Sequence, residues 1–313
     1  MVWVKKGVIF DPKQHIPFPD PIAQLPTPFL LNEETELIRI YFSYRNQFGQ
    51  SQIGFFDYEM LHKNLINLNL NIGLKFGEIG CFDDSGLMPS SIVKISATSL
   101  LLFYTGWTTA KTVPYKLAIG LAESSDNGIT FKKHSIGPIL STSPEEPYFT
   151  CSPRVFKDKN EWRMFYVSCR CWGKAASKYE PVYILRTIES KNPHVWTHSK
   201  PENVLHANEP NTAYTSANLV EIDDQTYMWY CKRSISDFRN NPKNSYTIEC
   251  MKQNEQYKWE SLNKRDFGLS TSNEGWDSQM VAYPYIIKIR DRLCLFYNGN
   301  GFGRSGIGLA LWE

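Results

Sequence analysis

The chain has 313 residues, 42% of them hydrophobic and 14% aromatic, and a net charge of +2. That length suffices for a large core in one or two domains. The near-neutral charge and the lack of any Lys/Arg-rich run give no electrostatic case for nucleic acid or an acidic membrane as partner. No apolar stretch approaches the ~20 residues of a membrane span, and residues 1–7 lack the apolar core of a signal peptide. The seven cysteines fall mostly in predicted strands and show no paired metal-ligand spacing. They read as reduced thiols packed as small hydrophobes, so a soluble cytoplasmic protein is expected. The histidines show no ligand spacing, and neither a metal nor a cofactor is expected.

In chain order, one aromatic strand motif recurs at Arg39–Arg45, Leu101–Trp107, Arg163–Cys169, Tyr227–Arg233 and Cys294–Asn300. Its second aromatic stands at positions 42, 104, 166, 230 and 297, in steps of 62, 62, 64 and 67 residues. Near-equal steps of this kind mark a repeat architecture. Each repeat opens with acidic residues in a Gly/Pro/Ser-rich loop. A first strand then begins near a Pro or Ser: Leu25–Phe29, Met88–Ile92, Cys151–Val155, Thr215–Leu219 and Ala282–Ile286. The aromatic strand comes second. A third follows at Gln52–Phe56, Leu117–Ala122, Val182–Arg186, Tyr246–Cys250 and Gly306–Ala310. A fourth opens on an aromatic residue at Phe131–Lys133, Trp196–His198 and Trp259–Ser261. The Asn127-Gly128 pair between third and fourth strands is a hairpin signal.

The pattern predicts an all-β chain: a five-bladed β-propeller with four antiparallel strands per blade, rather than a long β-sandwich. One domain over residues 1–313 is expected, with blades at about 20–75, 82–140, 145–205, 209–269, and 274–313 plus 2–10. The last repeat lacks a fourth strand, and Trp3–Ile9 resembles Phe131–Gly137. The N-terminal strand is therefore expected to complete blade five, closing the ring and covering a sheet edge.

First strands of a propeller line its central channel, so the acidic loops before them converge. They supply Asp20, Asp83, Asp84, Glu145, Glu146, Glu209 and Asp277. Glycoside hydrolysis needs two carboxyl groups about 6.5–9.5 Å apart for inversion or about 5–5.5 Å for retention. The competing role for each acid is to cap a turn. Arg45, Trp107, Arg233 and Asn300 lie three residues beyond the marker aromatic and are candidate pocket residues, with Trp107 suited to stacking on a sugar ring. Cys169 occupies the same place in the third repeat without an evident role. Arg154 either binds an anion or, by preference, neutralises the ring of acids. Glu209, Asn218, Asp277 and Tyr283 complete the substrate-binding candidates.

The segment Phe82–Ser91, followed by Phe103–Trp107 and Ala118–Ala122, resembles the five-bladed propeller glycosidases: family 43 and its relatives in families 32, 68 and 130. The stretch Gly275–Met280 through Tyr283-Pro284 to Phe296–Gly301 is similar to glycosidase-like proteins found among bacterial surface-polysaccharide genes. The resemblance spans essentially the whole chain. It implies action on a glycosidic bond, with Asp20 as base, Asp84 as the residue tuning a pKa, and Glu146 as acid. Two further functions stay open. One is transfer or modification of an activated sugar in polysaccharide biosynthesis, with a nucleotide sugar in place of a simple sugar as partner. The other is a non-catalytic carbohydrate-binding propeller.

Overall fold

A computed structural model describes residues 2–313 apart from 176–177, 197–199, 206–210 and 257. The described chain is all-β with a few single-turn helices. It opens with β1 (Trp3–Phe10). A first group follows: β2 (Gln24–Asn32), β3 (Leu37–Arg45), β4 (Ser51–Glu59) and β5 (Asn64–Asn69). The second group is β6 (Gly86–Lys94), β7 (Leu100–Thr109), β8 (Tyr115–Ser124) and β9 (Lys132–Lys133). The third is β10 (Thr150–Asp158), β11 (Glu161–Ala175), β12 (Lys178–Ser190) and β13 (Glu202–Leu205). The fourth is β14 (Thr212–Ile222), β15 (Gln225–Ser234), β16 (Thr247–Gln253) and β17 (Trp259–Ser261). The chain ends with β18 (Ala282–Ile289), β19 (Arg292–Asn298) and β20 (Ile307–Trp312).

Within each group neighbouring strands pair antiparallel. The first two groups touch through one parallel pair, Ser51 with Gly86. The N-terminal β1 pairs with β20, so the last sheet runs β1-β20-β19-β18. Of the strand expected at Trp196–His198, residues 197 and 198 lie outside the described ones; Trp196 is fully buried and donates its indole N–H to the Pro193 carbonyl. Within the described residues β13 is the strand that pairs with β12 at this edge.

The aromatic motif explains the cores. Adjacent residues of a strand point to opposite faces, so each aromatic pair divides between two hydrophobic clusters. Phe42 and Tyr41 belong to different clusters, and Tyr104 shares the cluster of Tyr41. Phe103 joins Tyr166, Phe165 joins Tyr230, and Trp229 joins Tyr297. Phe296 then returns to the cluster of Phe42. Each aromatic strand thus belongs to the core on either side of it, and β1 contributes Trp3 to one core and Phe10 to the next. All five marker aromatics are at most 3% exposed. Burying large rings at that density is the main source of stability, at about 25 cal/mol per Å² of apolar surface.

Candidate functional site: the central cavity

The first strands share a local irregularity that shapes the centre. Register breaks near the start of β2, β6, β10, β14 and β18, between Gln24 and Thr27, Pro89 and Ser91, Cys151 and Arg154, Thr215 and Asn218, and Ala282 and Tyr285. In four of the five a non-glycine residue adopts a left-handed conformation: Leu25 (φ 58°), Ser152 (φ 52°), Ser216 (φ 59°) and Tyr283 (φ 54°). A β-bulge re-aims side chains and bends a strand, and backbone strain of this kind concentrates where a site is built. Leu25, Ser152, Thr215 and Tyr283 line an inner chamber of about 220 Å³. None of the four left-handed residues is an acid, so the strand starts aim no carboxylate of their own inward.

The inner chamber opens into an outer one of about 490 Å³, and the two share Gln24, Arg45, Tyr115, Tyr183, Tyr246 and Tyr283. Together they form one cavity in the size range of small-molecule sites. Trp107 forms part of its inner wall, and Gly86 opposite Trp107 in the ladder leaves the room: a Cβ there would collide with the indole. Tyr115, Tyr183 and Tyr246 stand at or near the start of the third strands of their groups. The Tyr115 and Tyr183 hydroxyls lie 3.4 Å apart. Burial pushes the Tyr115 phenol up to about 12 and Tyr183 well above its ordinary value, so both are neutral donors at physiological pH.

Charge in the outer chamber is mostly positive. Arg45, Arg233, Arg239 and Arg304 line it, against Asp20. Arg304 grips Asp20 with two parallel bonds of 2.8 and 2.7 Å, and this contact holds the Asp20 carboxyl below its usual range. Arg239 holds Glu180 in the same way, at 2.8 and 3.2 Å. Arg233 is 3% exposed. It donates to the Tyr246 hydroxyl and to the carbonyls of Ser234 and Pro181, and packs 3.8 Å from the Phe238 ring centre.

Of the residues expected from the sequence, the cavity brings together Asp20, Arg45, Trp107, Arg233 and Tyr283. It does not bring in the others. Asp84 holds its own turn, accepting from the Gly80 amide at 2.9 Å and the Ser85 hydroxyl at 2.7 Å. Glu146 is 2% exposed, accepts from the Tyr166 hydroxyl at 3.0 Å and lies 3.3 Å from Arg186. Neither Glu146, expected as the acid, nor Asp84, expected as the residue tuning a pKa, is among the residues lining the cavity. Asp277 is equally buried, 3.0 Å from the Tyr297 hydroxyl and 2.6 Å from Lys5. Asp83 repeats the arrangement with Tyr104 at 2.9 Å and Lys133 at 2.6 Å. These three acids pin the marker tyrosines of their groups.

Arg154 neutralises no ring of acids. It donates to the carbonyls of Ser90 and Pro284 and stacks on Tyr285, 3.6 Å from the ring centre, and burial pulls its pKa down to about 10. Asn218 also donates to the Pro284 carbonyl, at 2.6 Å. The two tie first strands of different groups together and take no part in lining the cavity. Asn300 braces the loop before β18, accepting from the amides of Gln279 and Met280. Cys169 is buried and donates to the Cys171 carbonyl. Glu209 lies outside the described residues. Sequence reasoning missed Tyr115, Tyr183, Tyr246, Arg239 and Arg304. The tyrosines carried a usable signal, an aromatic at or near the third-strand start in three consecutive repeats; the arginines lie in loops of unequal length and carried none. It also missed Glu123, His134 and His194, whose ligand atoms lie within 4.8 Å of one another on a surface away from the cavity.

An all-β succession of small antiparallel sheets, with a cavity of aromatic and polar side chains, is a plan shared with the propeller glycosidases. The model of the glycosyl hydrolases family 32 N-terminal domain matches residues 71–277, and the chain belongs to that family. It is thereby a glycosidase-like enzyme. It is 31% identical to the uncharacterized protein Rv1502 of Mycobacterium tuberculosis, over the full length of both proteins. Solved structures share the fold at lower identity. A glycoside hydrolase superposes with a TM-score of 0.74 at 17% identity, covering 99% of this protein and 91% of that one. A thermostable family-43 glycoside hydrolase gives 0.62 at 13% identity, over 92% and 88%. No helix among the described residues is long and apolar enough to cross a membrane.

Proposed function

We propose that the chain is a single-domain, five-bladed propeller that takes a glycoside into the central cavity and acts on its glycosidic bond there, with Asp20 as the ionised carboxylate. The succession of cores, returning to the first, and the pairing of β1 with β20 support the blade count and closure. The observation that carries the functional reading is Asp20 on an aromatic-walled cavity, held ionised by Arg304. A carboxylate with a depressed pKa is ionised at neutral pH, so it is free to accept a proton from water or an acceptor hydroxyl, as a weak base, and is poorly suited to donate one. The neutral tyrosine hydroxyls and Trp107 offer hydrogen bonds and a stacking face for the ring.

Asp20→Asn should lower turnover of a cognate p-nitrophenyl glycoside by about 100-fold or more while leaving the melting temperature unchanged. Turnover equal to the parent overturns the assignment.

The arginines favour a second reading, action on an activated sugar in polysaccharide biosynthesis within the cytoplasm. Among the described residues the cavity pairs its base with cations rather than with a second carboxyl group. A leaving group that departs as a phosphate anion needs charge stabilisation more than protonation, and arginine supplies it. Release of nucleoside diphosphate from a nucleotide sugar, lost in Asp20→Asn, would select this reading over hydrolysis of a neutral glycoside.

A further inference from the structure

Of the four arginines in the outer chamber, two have carboxylate partners, Arg239 with Glu180 and Arg304 with Asp20. The other two have none among the described residues. Arg45 donates to the Gly49 carbonyl, and its guanidinium lies 6.0 Å from the centre of the Trp107 ring. Partial burial and the nearby positive charge of Arg304 both make the Arg45 charge harder to hold, and Asp20 only partly offsets them. Arg233 is almost wholly buried, and its three hydrogen-bond acceptors are all neutral: one phenol and two carbonyls. The faces around it are aromatic, Phe238 at 3.8 Å and Tyr183 at 5.1 Å. Buried cations are as a rule paired, because an unpaired charge out of water is costly. Here one almost wholly buried cation, Arg233, and one partly buried one, Arg45, border the same open volume.

We infer that Arg45 and Arg233 form a subsite for an anionic group carried by the sugar, a phosphate or a carboxylate. This rests on the reading of the cavity as a sugar site and names the class of sugar it selects. The planar guanidinium presents paired N–H donors that match two oxygens of such a group, and each arginine has N–H groups left over after its protein contacts. The aromatic walls meet the ring faces of the sugar, and the cations meet its charge. Neutral sugars gain only the first set of contacts. They leave the arginines as they are.

The experiment is calorimetric titration of the full chain with matched probes: glucose, galactose and mannose, their 1-phosphates, their uronic acids, the corresponding nucleoside diphosphate sugars, and inorganic phosphate alone. At least one anionic form should bind about tenfold or more tighter than its neutral parent, the size of effect a charged hydrogen bond gives. That advantage should shrink as KCl is raised. Arg45→Met, which keeps the stem beside Trp107, should erase the advantage of the anionic form over its neutral parent. Arg233→Lys keeps the buried charge but loses the fork, and should reduce the ratio of anionic to neutral affinity; it guards against misfolding of a larger change. Equal binding of neutral and anionic forms, or an advantage that survives Arg45→Met, overturns the subsite while the sugar cavity stands. Binding of inorganic phosphate with no sugar bound in any form retains the subsite and overturns the sugar cavity. Preference among the anionic probes separates phosphate from carboxylate.

Discussion

Two sets of carboxylates occupy the loops before the first strands, and their surroundings assign them different work. Asp83, Glu146 and Asp277 are at most 2% exposed, each facing one tyrosine hydroxyl and one cation. Asp20 stands half in solvent, at 56% side-chain exposure, and among the described residues its ion-pair partner is Arg304. The buried acids sit on the marker tyrosine, the residue whose spacing defines the repeat. Asp20 belongs to the one repeat whose marker is phenylalanine, Phe42, which has no hydroxyl to hold an acid in the core. The lesson is that an acid recurring at one place in every repeat is first of all a part of the repeat. Function is to be sought where the repeat is broken.

The comparison can be broken hardest at the seam between the two chain ends. Removing residues 2–10 takes Trp3 and Phe10 out of two cores, strips Lys5 from Asp277 and bares the edge of β20. The truncated chain should be insoluble or lack a cooperative melt by circular dichroism. A truncated protein that melts like the parent would remove β1 from the architecture.

Next in size is the buried acid itself. Glu146→Gln leaves Arg186 without its charge partner and should cost about 3 kcal/mol in urea unfolding, the order found when one member of a buried pair is lost. Adding Arg186→Met should restore part of that, because both charges are then gone. Sugar binding by the folded fraction should be unchanged. Abolished binding with intact stability would return Glu146 to the site and erase the distinction between the two sets of acids.

The smallest effect calibrates a carboxylate that does nothing but hold a turn. Asp126 accepts from the Ile129 and Thr130 amides and from the Ser124 and Thr130 hydroxyls, and these bonds, opposed by slight burial, hold its pKa down to about 2. A group whose folded pKa is depressed adds stability above its unfolded value of about 3.9, and that stability is lost as pH falls through the folded value. Asp126→Asn should therefore flatten the stability change between about pH 4 and pH 2, by about 0.5 kcal/mol given its exposure to solvent. A pH profile identical to the parent's would show that the turn bonds do not favour the ionised form.

Much of the architecture was legible because it is periodic. The aromatic strands recur at near-equal steps, and alternation along each strand places one ring of a pair on either side, which is what stacked sheets need. The match between Trp3–Ile9 and Phe131–Gly137 proved specific down to one cation: Lys5 and Lys133 occupy the same place and meet the corresponding acids, Asp277 and Asp83. The site was only partly legible. Arg45, Trp107 and Arg233 were singled out because they follow the marker at a fixed distance, and all three line the cavity. Asn300 and Cys169 share that distance and do not line the cavity, since position along a strand does not say whether the following loop turns a side chain inward or ties it down.

The amino-acid order by itself determined the strand repeat, the buried rings and the partnership of the two ends, because these follow from local periodicity and apolar burial. The tertiary structure alone decided which acids face water. Burial is a property of the assembled neighbours: Tyr166 and Arg186 enclose Glu146, while the loops that carry Asp20 and Arg304 leave both at the mouth of the cavity. Only that assembly also sets Arg45 and Arg233, 188 residues apart in the sequence, on the same open volume.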